Sequence, residues 1–531
     1  MTNRGLKSGA SREQASLLPA RVDDYVGADN PVRAIEAFVA ALDLAKLGFG
    51  HAERGVQVGQ PPYDPADMLM LYLYGYINRV RSSRRLEQEA SRNLEVIWLL
   101  KGLAPGYRTI AKFRQDNWKA LKAANREFVL LMRQLGLFGG VLVAIDGAFF
   151  DGSASKASIK TQKRLAKQLA ALDRDIESYR TALEANDTAE AARTNGDKGG
   201  GDGGGLQQKV AELMAKRAQA QSDLEQLKAS GETQLSRTDA DARLLTKNGQ
   251  TVAGYNVQIA VDDKHKLIAA SEVVNDGNDS GQLHTMAEAA KEALGVETLQ
   301  VLADVGYYSG APLKACEDDD IVAYVPQAKR SGRLAAQGLF SHEDFVYDAA
   351  LDGYRCPAGT LLHPTKGRKH NGEDRIEIRY VSRKVVCDAC PLRSRCVTKK
   401  APTRTIHRWE HEDVIERHLA RMKDADALMR RRSALVEHPF GTLKCRAGYR
   451  HFLVRGFNKV RGEWSLMALC YNFTRLLSIL GLDGLIAALA KYLANLVRVI
   501  PRIAIAAALA ALYAAIAPKS AVYPLSFSSI R

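Results

Sequence analysis

The stretch VLVAIDGAFF, residues 141–150, decides the expected fold of the chain. Its first half is a short apolar run rich in β-branched residues, which is the pattern of a central strand. Asp146 follows this run directly and Gly147 follows the aspartate. An ionised carboxylate beside a core strand is costly unless a cation or a hydrogen-bond donor neutralises it. We therefore expect a strand that ends at Asp146 and a carboxylate that has a partner there.

A second segment, LQVLADVGYYSG at residues 299–310, repeats this context, with Asp304 behind an apolar run and a glycine, Gly306, two residues after it. Between the two segments, residues 254–274 alternate apolar and polar side chains on either side of Asp262 and Asp263. This alternation predicts a β-hairpin with the two aspartates in its turn, where they have no catalytic role. Helical patterns separate the later strands, so the order of elements predicts a mixed α/β sheet.

The two strand-end aspartates suggest a metal site. If their strands are neighbours, Asp146 and Asp304 lie close together, and two such carboxylates do not both stay ionised without a cation. Mg²⁺ prefers carboxylate oxygens and water as ligands, and Mn²⁺ is an alternative. Each aspartate taken alone is also compatible with a turn or capping residue.

A third carboxylate stands in RRRSALVEHPFGTLKCRAGYRHFLVRGFNKVR, residues 430–461, which has nine Lys or Arg and only Glu437 as an acid. The segment begins with a helical pattern, so Glu437 can reach the same metal site from a flanking helix. The surrounding basic side chains suit the phosphates of a polyanion, in line with a formal net charge of +15. A plain helix salt bridge for Glu437, and a merely basic soluble enzyme, are the alternatives.

Four cysteines form a second constellation: Cys356, Cys387, Cys390 and Cys396. A Cys-x-x-Cys pair, a third Cys close behind and an upstream Cys-Pro suggest a structural tetrathiolate zinc site. An unoccupied site, or reduced cysteines that only pack, are the alternatives. The chain has seven cysteines in all, an odd number, and a polar N-terminus, which together favour a reducing cytoplasm.

Two further segments frame the sheet. Residues 157–231 contain two charged helical patterns around the loop NGDKGGGDGGG, which predicts a helical hairpin with a flexible tip and a role in subunit contact. The loop lacks the Gly-Lys-Ser/Thr ending of a phosphate cradle. The apolar run Ile503–Ala517 is shorter than the ~20 residues of a membrane span, so we expect no membrane partner.

The chain resembles bacterial insertion-sequence transposases of the Asp-Asp-Glu type. The resemblance rests on these segments, spread over nearly the whole chain: LLPARVDDYVGADNPVRAIEAFVAALDL, YDPADMLMLYLYGY, YRTIAKFR, the Asp146 strand, TDADARLLTKNGQTVAGYNVQIAVDDKHKLI, LADVGYYSG, VEHPFGTLK and GFNKVRGEWSLMALCYNFTRLL. It implies a ribonuclease-H-like mixed sheet with flanking helices, and Asp146, Asp304 and Glu437 as metal-binding catalytic carboxylates. It also implies DNA contacts, which we place at Arg432, Lys444, Arg446 and Arg450.

The sequence patterns divide the chain into a helical DNA-binding domain at 1–140, a catalytic core at 141–156 and 232–330, the hairpin insertion at 157–231, a Cys-rich insertion at 331–405, the rest of the core at 406–480 and an apolar helical tail at 481–531, which lies outside the resemblance. For the first domain, short helices, tight turns and exposed arginines are compatible with DNA binding, and a helical domain with simply solvated arginines is the alternative.

The sequence departs from the family's signature around the third carboxylate. Relatives carry a tyrosine and an arginine upstream of the glutamate and a lysine downstream; Glu437 and Lys444 have the right spacing, but Arg430 and Ser433 occupy the first two positions.

The expected activity is cleavage of transposon-end DNA and its transfer to target DNA, by a homodimer or a larger assembly. A nuclease that cleaves without joining, and a non-catalytic DNA-binding descendant, remain alternatives.

Overall fold

The computed structural model describes eight segments of the chain, residues 21–53, 61–191, 203–247, 249–328, 336–365, 368–370, 373–398 and 401–499. Residues 1–20, most of the glycine-rich loop and the apolar run Ile503–Ala517 lie outside the described residues.

A helical region precedes the first strand. Its helices are α1 (Val32–Ala40), α2 (Pro65–Ile77), α3 (Ser83–Arg92), α4 (Leu94–Leu99), α5 (Tyr107–Asp116) and α6 (Trp118–Gln134). Asp64 caps α2 by accepting a hydrogen bond from the amide of Ala66, and Pro65 occupies the first helical position. Every residue from Met68 to Tyr74 is buried, because α2 is surrounded by the rest of the helical region and by the C-terminal helix.

The next part of the chain supplies the main sheet. Its elements are β1 (Leu142–Asp151), β2 (Ile159–Thr161), β3 (Gln234–Ser236), β4 (Arg243–Lys247), β5 (Gln250–Asp262), β6 (Ile268–Val274), β7 (Leu299–Leu302) and β8 (Ile321–Tyr324), with α9 (Leu283–Leu294) and α10 (Gly310–Asp318) between the later strands. The order across the sheet is β4-β5-β1-β7-β8, and β6 also pairs with β5. β1 is antiparallel to β5 and parallel to β7, which is parallel to β8. The predicted mixed α/β fold is confirmed.

The expected end of the first strand was wrong. β1 does not stop at Asp146 but continues to Asp151, since Phe149 and Phe150 remain paired with Asn256 and Tyr255 of β5. Aromatic residues are good strand formers, and Phe150 is fully buried against Trp464 and Phe452.

Both faces of the main sheet are covered. Along β1, Val143 and Ile145 pack with α9 and α10, whereas Leu142 and Ala144 pack in the core shared with the N-terminal helices. This alternation follows from the two-residue period of a strand. Because both faces are dry, a polar group on β1 has access to solvent only near the sheet edge.

Two helices, α7 (Gln162–Ala191) and α8 (Gly203–Ser230), lie between β2 and β3, which form a separate two-stranded sheet. They pack on each other through a small core that includes Leu165, Leu172 and Leu227. The β2–β3 pair closes the base of this hairpin.

A smaller antiparallel sheet follows β8. Its elements are β9 (Val346–Asp348), β10 (Gly353–Arg355), β11 (Leu361–Pro364), β12 (Arg368–His370), β13 (Glu373–Val381) and β14 (Thr405–Trp409), with the short helices α11 (Lys384–Asp388) and α12 (Arg393–Cys396) before β14. The order is β12-β13-β11-β10-β9, and β14 pairs with β13.

The chain then forms α13 (Glu412–Met422), α14 (Asp426–Gly441), a π-helical turn (Thr442–Arg446) and the long helix α15 (Phe457–Val499), which is kinked at Gly481. α14 packs on β1, β5 and β7. The stretch Phe457–Ala494 has the length and apolar composition of a membrane span, properties that core helices of soluble proteins share. Trp464, Met467 and Phe473 of this stretch are buried in the protein core.

A buried polar group joins the N-terminal helices to α15. The carboxylate of Glu463 is fully buried and accepts hydrogen bonds from Tyr76 Oη at 2.8 Å and from the amide of Leu453 at 2.8 Å. The guanidinium groups of Arg114 and Arg81 lie 3.5 and 3.9 Å from it. Since buried charges persist only when they are paired, this group ties the two ends of the described chain together.

Candidate active site

The site is built on the register between two parallel strands. Ala144 of β1 is paired with Leu302 of β7, so Asp146 and Asp304 each lie two residues beyond the same pair. Parallel strands carry equivalent positions to the same edge of a sheet. The register therefore brings both sequence-predicted aspartates to one edge of the main sheet.

Asp146 lies in a largely dry position. Its side chain is 22% exposed, and Oδ1 accepts a hydrogen bond of 2.8 Å from the amide of Gly147. The pKa of Asp146 is raised to about 6, mainly by burial and in part by the charge of Asp304, while Arg432 and Lys247 act in the opposite direction. The cations of the chain thus neutralise this carboxylate only in part.

Asp304 follows β7 and caps a short 3₁₀ turn, Val305–Tyr307, with Oδ1 accepting from the amide of Gly306 at 2.8 Å. Its side chain is 25% exposed, and its other oxygen lies 3.9 Å from Lys247 Nζ. The backbone therefore fixes one oxygen of each aspartate and leaves the other oxygen facing a cationic side chain.

Two residues of the cluster escaped the sequence analysis. Asp279, in the loop after β6, is 5% exposed, and its Oδ2 accepts a hydrogen bond of 3.2 Å from Nζ of Lys247 on β4. Neither residue follows an apolar strand pattern, so no local signal marks them. A polar loop residue becomes informative only when the pairing of β4, β5 and β6 is known.

Glycines leave room for this cluster. A methyl group added at Gly147 would lie 2.7 Å from Asp279 Oδ1 and 2.3 Å from Gln258 Nε2. One added at Gly306 would lie 2.9 Å from Asp304 Oδ1 and 3.7 Å from Asp279 Oδ2. Gly147 therefore leaves the space that Asp279 occupies, whereas Gly306 leaves space for the carboxylate of Asp304.

Glu437 is exposed on α14. Five residues before it, Arg432 places Nη1 3.8 Å from Asp146 Oδ2; seven residues after it, Lys444 donates a 2.7 Å hydrogen bond to the carbonyl of Phe149. The helix thus runs beside the aspartate edge. Among the described residues, no three His, Cys, Asp or Glu side chains are close enough together to hold a metal ion.

The basic residues predicted to contact DNA differ in their surroundings. Arg446 and Arg450 are exposed. Lys444 is half-buried above the ring of Phe150, with Nζ 4.4 Å from the ring centroid, and burial lowers its pKa to about 8. Arg432 points inward, and its buried Nη1 has no hydrogen-bond partner. Only the two exposed arginines are free to meet a ligand without rearrangement.

The hairpin aspartates have structural partners. Asp262 is fully buried and accepts hydrogen bonds from the amides of Gly139, Gly140 and Lys264. Asp263 forms an ion pair with Arg431. These contacts agree with the turn role expected for both residues.

The four cysteines predicted to bind zinc line one cavity beside the smaller sheet, together with Phe345 and Leu362. Backbone turns surround them: the amide of Gly359 donates to the carbonyl of Cys356, and the amide of Cys390 donates to that of Cys387. Burial raises the pKa of the Cys396 thiol, Arg404 lowers it, and the other three thiols raise it. The structure thus gathers the four side chains without placing them at metal-ligand distances.

Comparison with known proteins finds two transposase family models that match parts of the chain. The family model described as "Transposase DDE domain" matches residues 355–477, a range that contains Glu437, and the model described as "Transposase domain (DUF772)" matches residues 20–116. Among solved structures, the chain is similar to the cryo-EM structure of a piggyBac transposase synaptic complex with hairpin DNA, with 7% identity and a TM-score of 0.31 over 92% of this chain and 86% of that one. A search of curated proteins gives no match.

The predicted resemblance to DDE-type insertion-sequence transposases is therefore confirmed, since residues 355–477 match a transposase DDE domain and residues 20–116 match a second transposase domain.

Proposed function

We propose that the protein is a DNA transposase that binds the ends of its insertion sequence, cleaves a phosphodiester bond there and joins the freed end to target DNA. The observation that carries this proposal is the register of β1 and β7, which brings Asp146 and Asp304 to one sheet edge beside α14. The transposase family matches support the same conclusion.

The strand arrangement supports a ribonuclease-H-like catalytic core. Its central strand β1 has an antiparallel neighbour, β5, on one side and the parallel strands β7 and β8 on the other. Within this core, the hairpin at 157–231 and the Cys-rich region at 331–405 are insertions. The N-terminal helices bind DNA, and the chain acts in the cytoplasm as a homodimer or larger assembly.

The chemistry of the side chains at the sheet edge suits a divalent cation, although the described residues do not yet form a three-ligand group. Asp146 and Asp304 offer hard oxygen ligands of the kind that Mg²⁺ and Mn²⁺ prefer, and their charges are only partly neutralised by Lys247 and Arg432. Glu437 would complete the set from α14. A bound cation of this type supplies water activation and charge stabilisation in phosphodiester cleavage.

The protein's own groups provide orientation and charge. The amides of Gly147 and Gly306 fix one oxygen of each aspartate, so the second oxygen of each is directed to the ligand. Arg446 and Arg450 are exposed after α14 and would contact DNA phosphates. Arg432 and Lys444 are the other two residues that we place near DNA; both would first have to leave their contacts with β1.

The test is cleavage of DNA that carries the element's own ends, in Mg²⁺, by the wild type and by Glu437→Gln. This substitution keeps the shape of the side chain and removes its charge. We expect cleavage to be lost while DNA binding persists, and Asp304→Asn to behave in the same way. Cleavage by Glu437→Gln at the wild-type rate would show that Glu437 is a surface residue and that the third carboxylate lies elsewhere.

Two alternatives are separated by product analysis. A nuclease without strand transfer would give cut ends but no joined product. A non-catalytic DNA-binding descendant would bind the ends and give neither product. The retention of Asp146, Asp304 and Glu437 favours a catalytic protein over the second alternative.

We also propose that Cys356, Cys387, Cys390 and Cys396 bind a structural Zn²⁺. The four residues line one cavity, and thiolate is the preferred donor for closed zinc sites. We expect purified protein to contain about one zinc per chain, measured by mass spectrometry of the metal, and Cys390→Ser to lose it. The exposed Cys445 supplies the matched control, since Cys445→Ser should keep the metal. A wild-type protein without zinc would contradict the proposal.

A further inference from the structure

Lys247 is a cation inside the carboxylate cluster that the proposed chemistry does not use. It extends from β4, and its Nζ lies 3.2 Å from Asp279 Oδ2 and 3.9 Å from Asp304 Oδ2. The first distance is a hydrogen bond and the second is too long for one. Lys247 is therefore bonded to Asp279 and only faces Asp304.

Asp279 is itself held rigidly. Its Oδ1 accepts hydrogen bonds from Asn256 Nδ2 at 2.8 Å and from Gln258 Nε2 at 2.7 Å, and Tyr307 donates a hydrogen bond to Gln258 Oε1. All of these side chains except that of Lys247 are buried. A buried carboxylate with two amide donors and one ammonium is a fixed anchor, so the position of Lys247 is fixed as well.

The lysine still has free binding capacity. An ammonium group has three donors, of which Asp279 engages one, and the side chain is 39% exposed. A lysine whose only role was to neutralise Asp304 would hydrogen-bond to Asp304 rather than to a separate anchor. The arrangement instead holds a positive charge at the open side of the aspartate edge.

We propose that Lys247 contacts a phosphate oxygen of bound DNA beside Asp304, and that Asp279 is the positioning residue that holds the lysine there. This inference rests on the proposed function, since it identifies a DNA phosphate as the ligand of the same site. A lysine acts on phosphate as a point charge, so the contact is independent of base sequence.

The first test uses the wild-type chain. Lysines are acylated with a limiting amount of an amine-reactive ester, with and without a DNA duplex that carries the element's end. Ca²⁺ replaces Mg²⁺ to prevent cleavage, and the labelling of each lysine is quantified by peptide mass spectrometry. We expect DNA to protect Lys247 several-fold. Lys160 is the internal control, because it forms the same kind of pair, with Nζ 3.2 Å from the buried Asp223, on the hairpin side of the molecule. Equal labelling of Lys247 with and without DNA would overturn the proposal.

The second test measures the salt dependence of DNA binding. The slope of log K against log salt concentration for duplex binding falls by about 0.9 for each phosphate contact that is lost. We expect Lys247→Gln to reduce the slope by that amount, Lys247→Arg to restore it and Lys160→Gln to leave it unchanged. A wild-type slope in Lys247→Gln would contradict the proposal, and if this variant does not fold, the labelling result decides alone.

The positioning role of Asp279 has its own readout. In Asp279→Asn without DNA, Lys247 loses its anchor and should be acylated several-fold faster than in the wild type, whereas labelling of Lys160 should not change. Unchanged labelling of Lys247 would remove Asp279 from the proposal. Failure of the wild type to bind the duplex at all would instead refute the proposed function, so the two failures are distinguishable.

Discussion

The charge of Asp146 should destabilise the metal-free protein at neutral pH. Its pKa is raised by burial from 3.8 to about 6, so the folded state holds this proton more tightly than the unfolded state does. The associated stability is fully present below pH 3.8 and is lost as the pH rises through about 6. A rise of about two pH units in the pKa corresponds to about 3 kcal/mol of folding free energy. This free energy already includes the attraction between Asp146 and Arg432, because that attraction lowers the pKa.

Asp146→Asn removes the charge and keeps the shape, so it should stabilise the metal-free protein. We expect about 1–3 kcal/mol at pH 7.5 in the presence of a chelator, since the site can relax around the charge. With an m-value of about 3 kcal/mol per molar urea, this raises the unfolding midpoint by about 0.3–1 M. The gain should vanish near pH 4, where the wild-type side chain is protonated.

Mg²⁺ supplies the control for this measurement. A cation that binds the folded site stabilises the wild type by mass action, so Mg²⁺ should raise its urea midpoint and have less effect on Asp146→Asn. An Asp146→Asn protein that is no more stable than the wild type at pH 7.5 in chelator would refute the account of a partly neutralised, buried carboxylate.

The remaining predictions concern packing around the site and across the chain. Gly147→Ala should lower the free energy of unfolding by about 1–3 kcal/mol and abolish DNA cleavage, because its methyl group would overlap Gln258 and Asp279. Gly277→Ala is the control, since there is open space around Gly277. Equal urea midpoints and equal cleavage rates for the two variants would contradict this prediction. Glu463→Gln should lower the free energy of unfolding, measured by urea denaturation, by about 3–5 kcal/mol, because the buried Arg114 and Arg81 lose their counter-charge. A loss below about 1 kcal/mol would show that the charge of Glu463 does not hold these arginines.

The main sheet was predictable because its strands carry strong local patterns. The β-branched run before Asp146 and the alternation through β5 and β6 mark strands without reference to the rest of the chain. The length of β1 was not predictable in the same way. Its extension to Asp151 depends on pairing with β5 and on the burial of Phe150 among distant aromatic residues.

In the candidate site, too, some residues carry a local sequence pattern and others depend on long-range pairing. Asp146 and Asp304 were found because each follows an apolar strand, and their proximity follows from a parallel register that the sequence does not specify. Asp279 and Lys247 carry no local signal, since one lies in a polar loop and the other on an edge strand. Their role depends on long-range pairing and on space left by glycines, which only the structure provides.

We propose that this chain both cuts and joins DNA at the carboxylate edge of its main sheet. The most direct measurement is strand transfer in Mg²⁺ from a duplex that already has a free 3′-hydroxyl at the element's end into a supercoiled plasmid. We predict joined products with the wild type and none with Asp304→Asn, although both proteins bind the duplex. If the wild type cleaves uncut ends but yields no joined product from pre-cut ends, the protein is a nuclease and the transposase account is wrong.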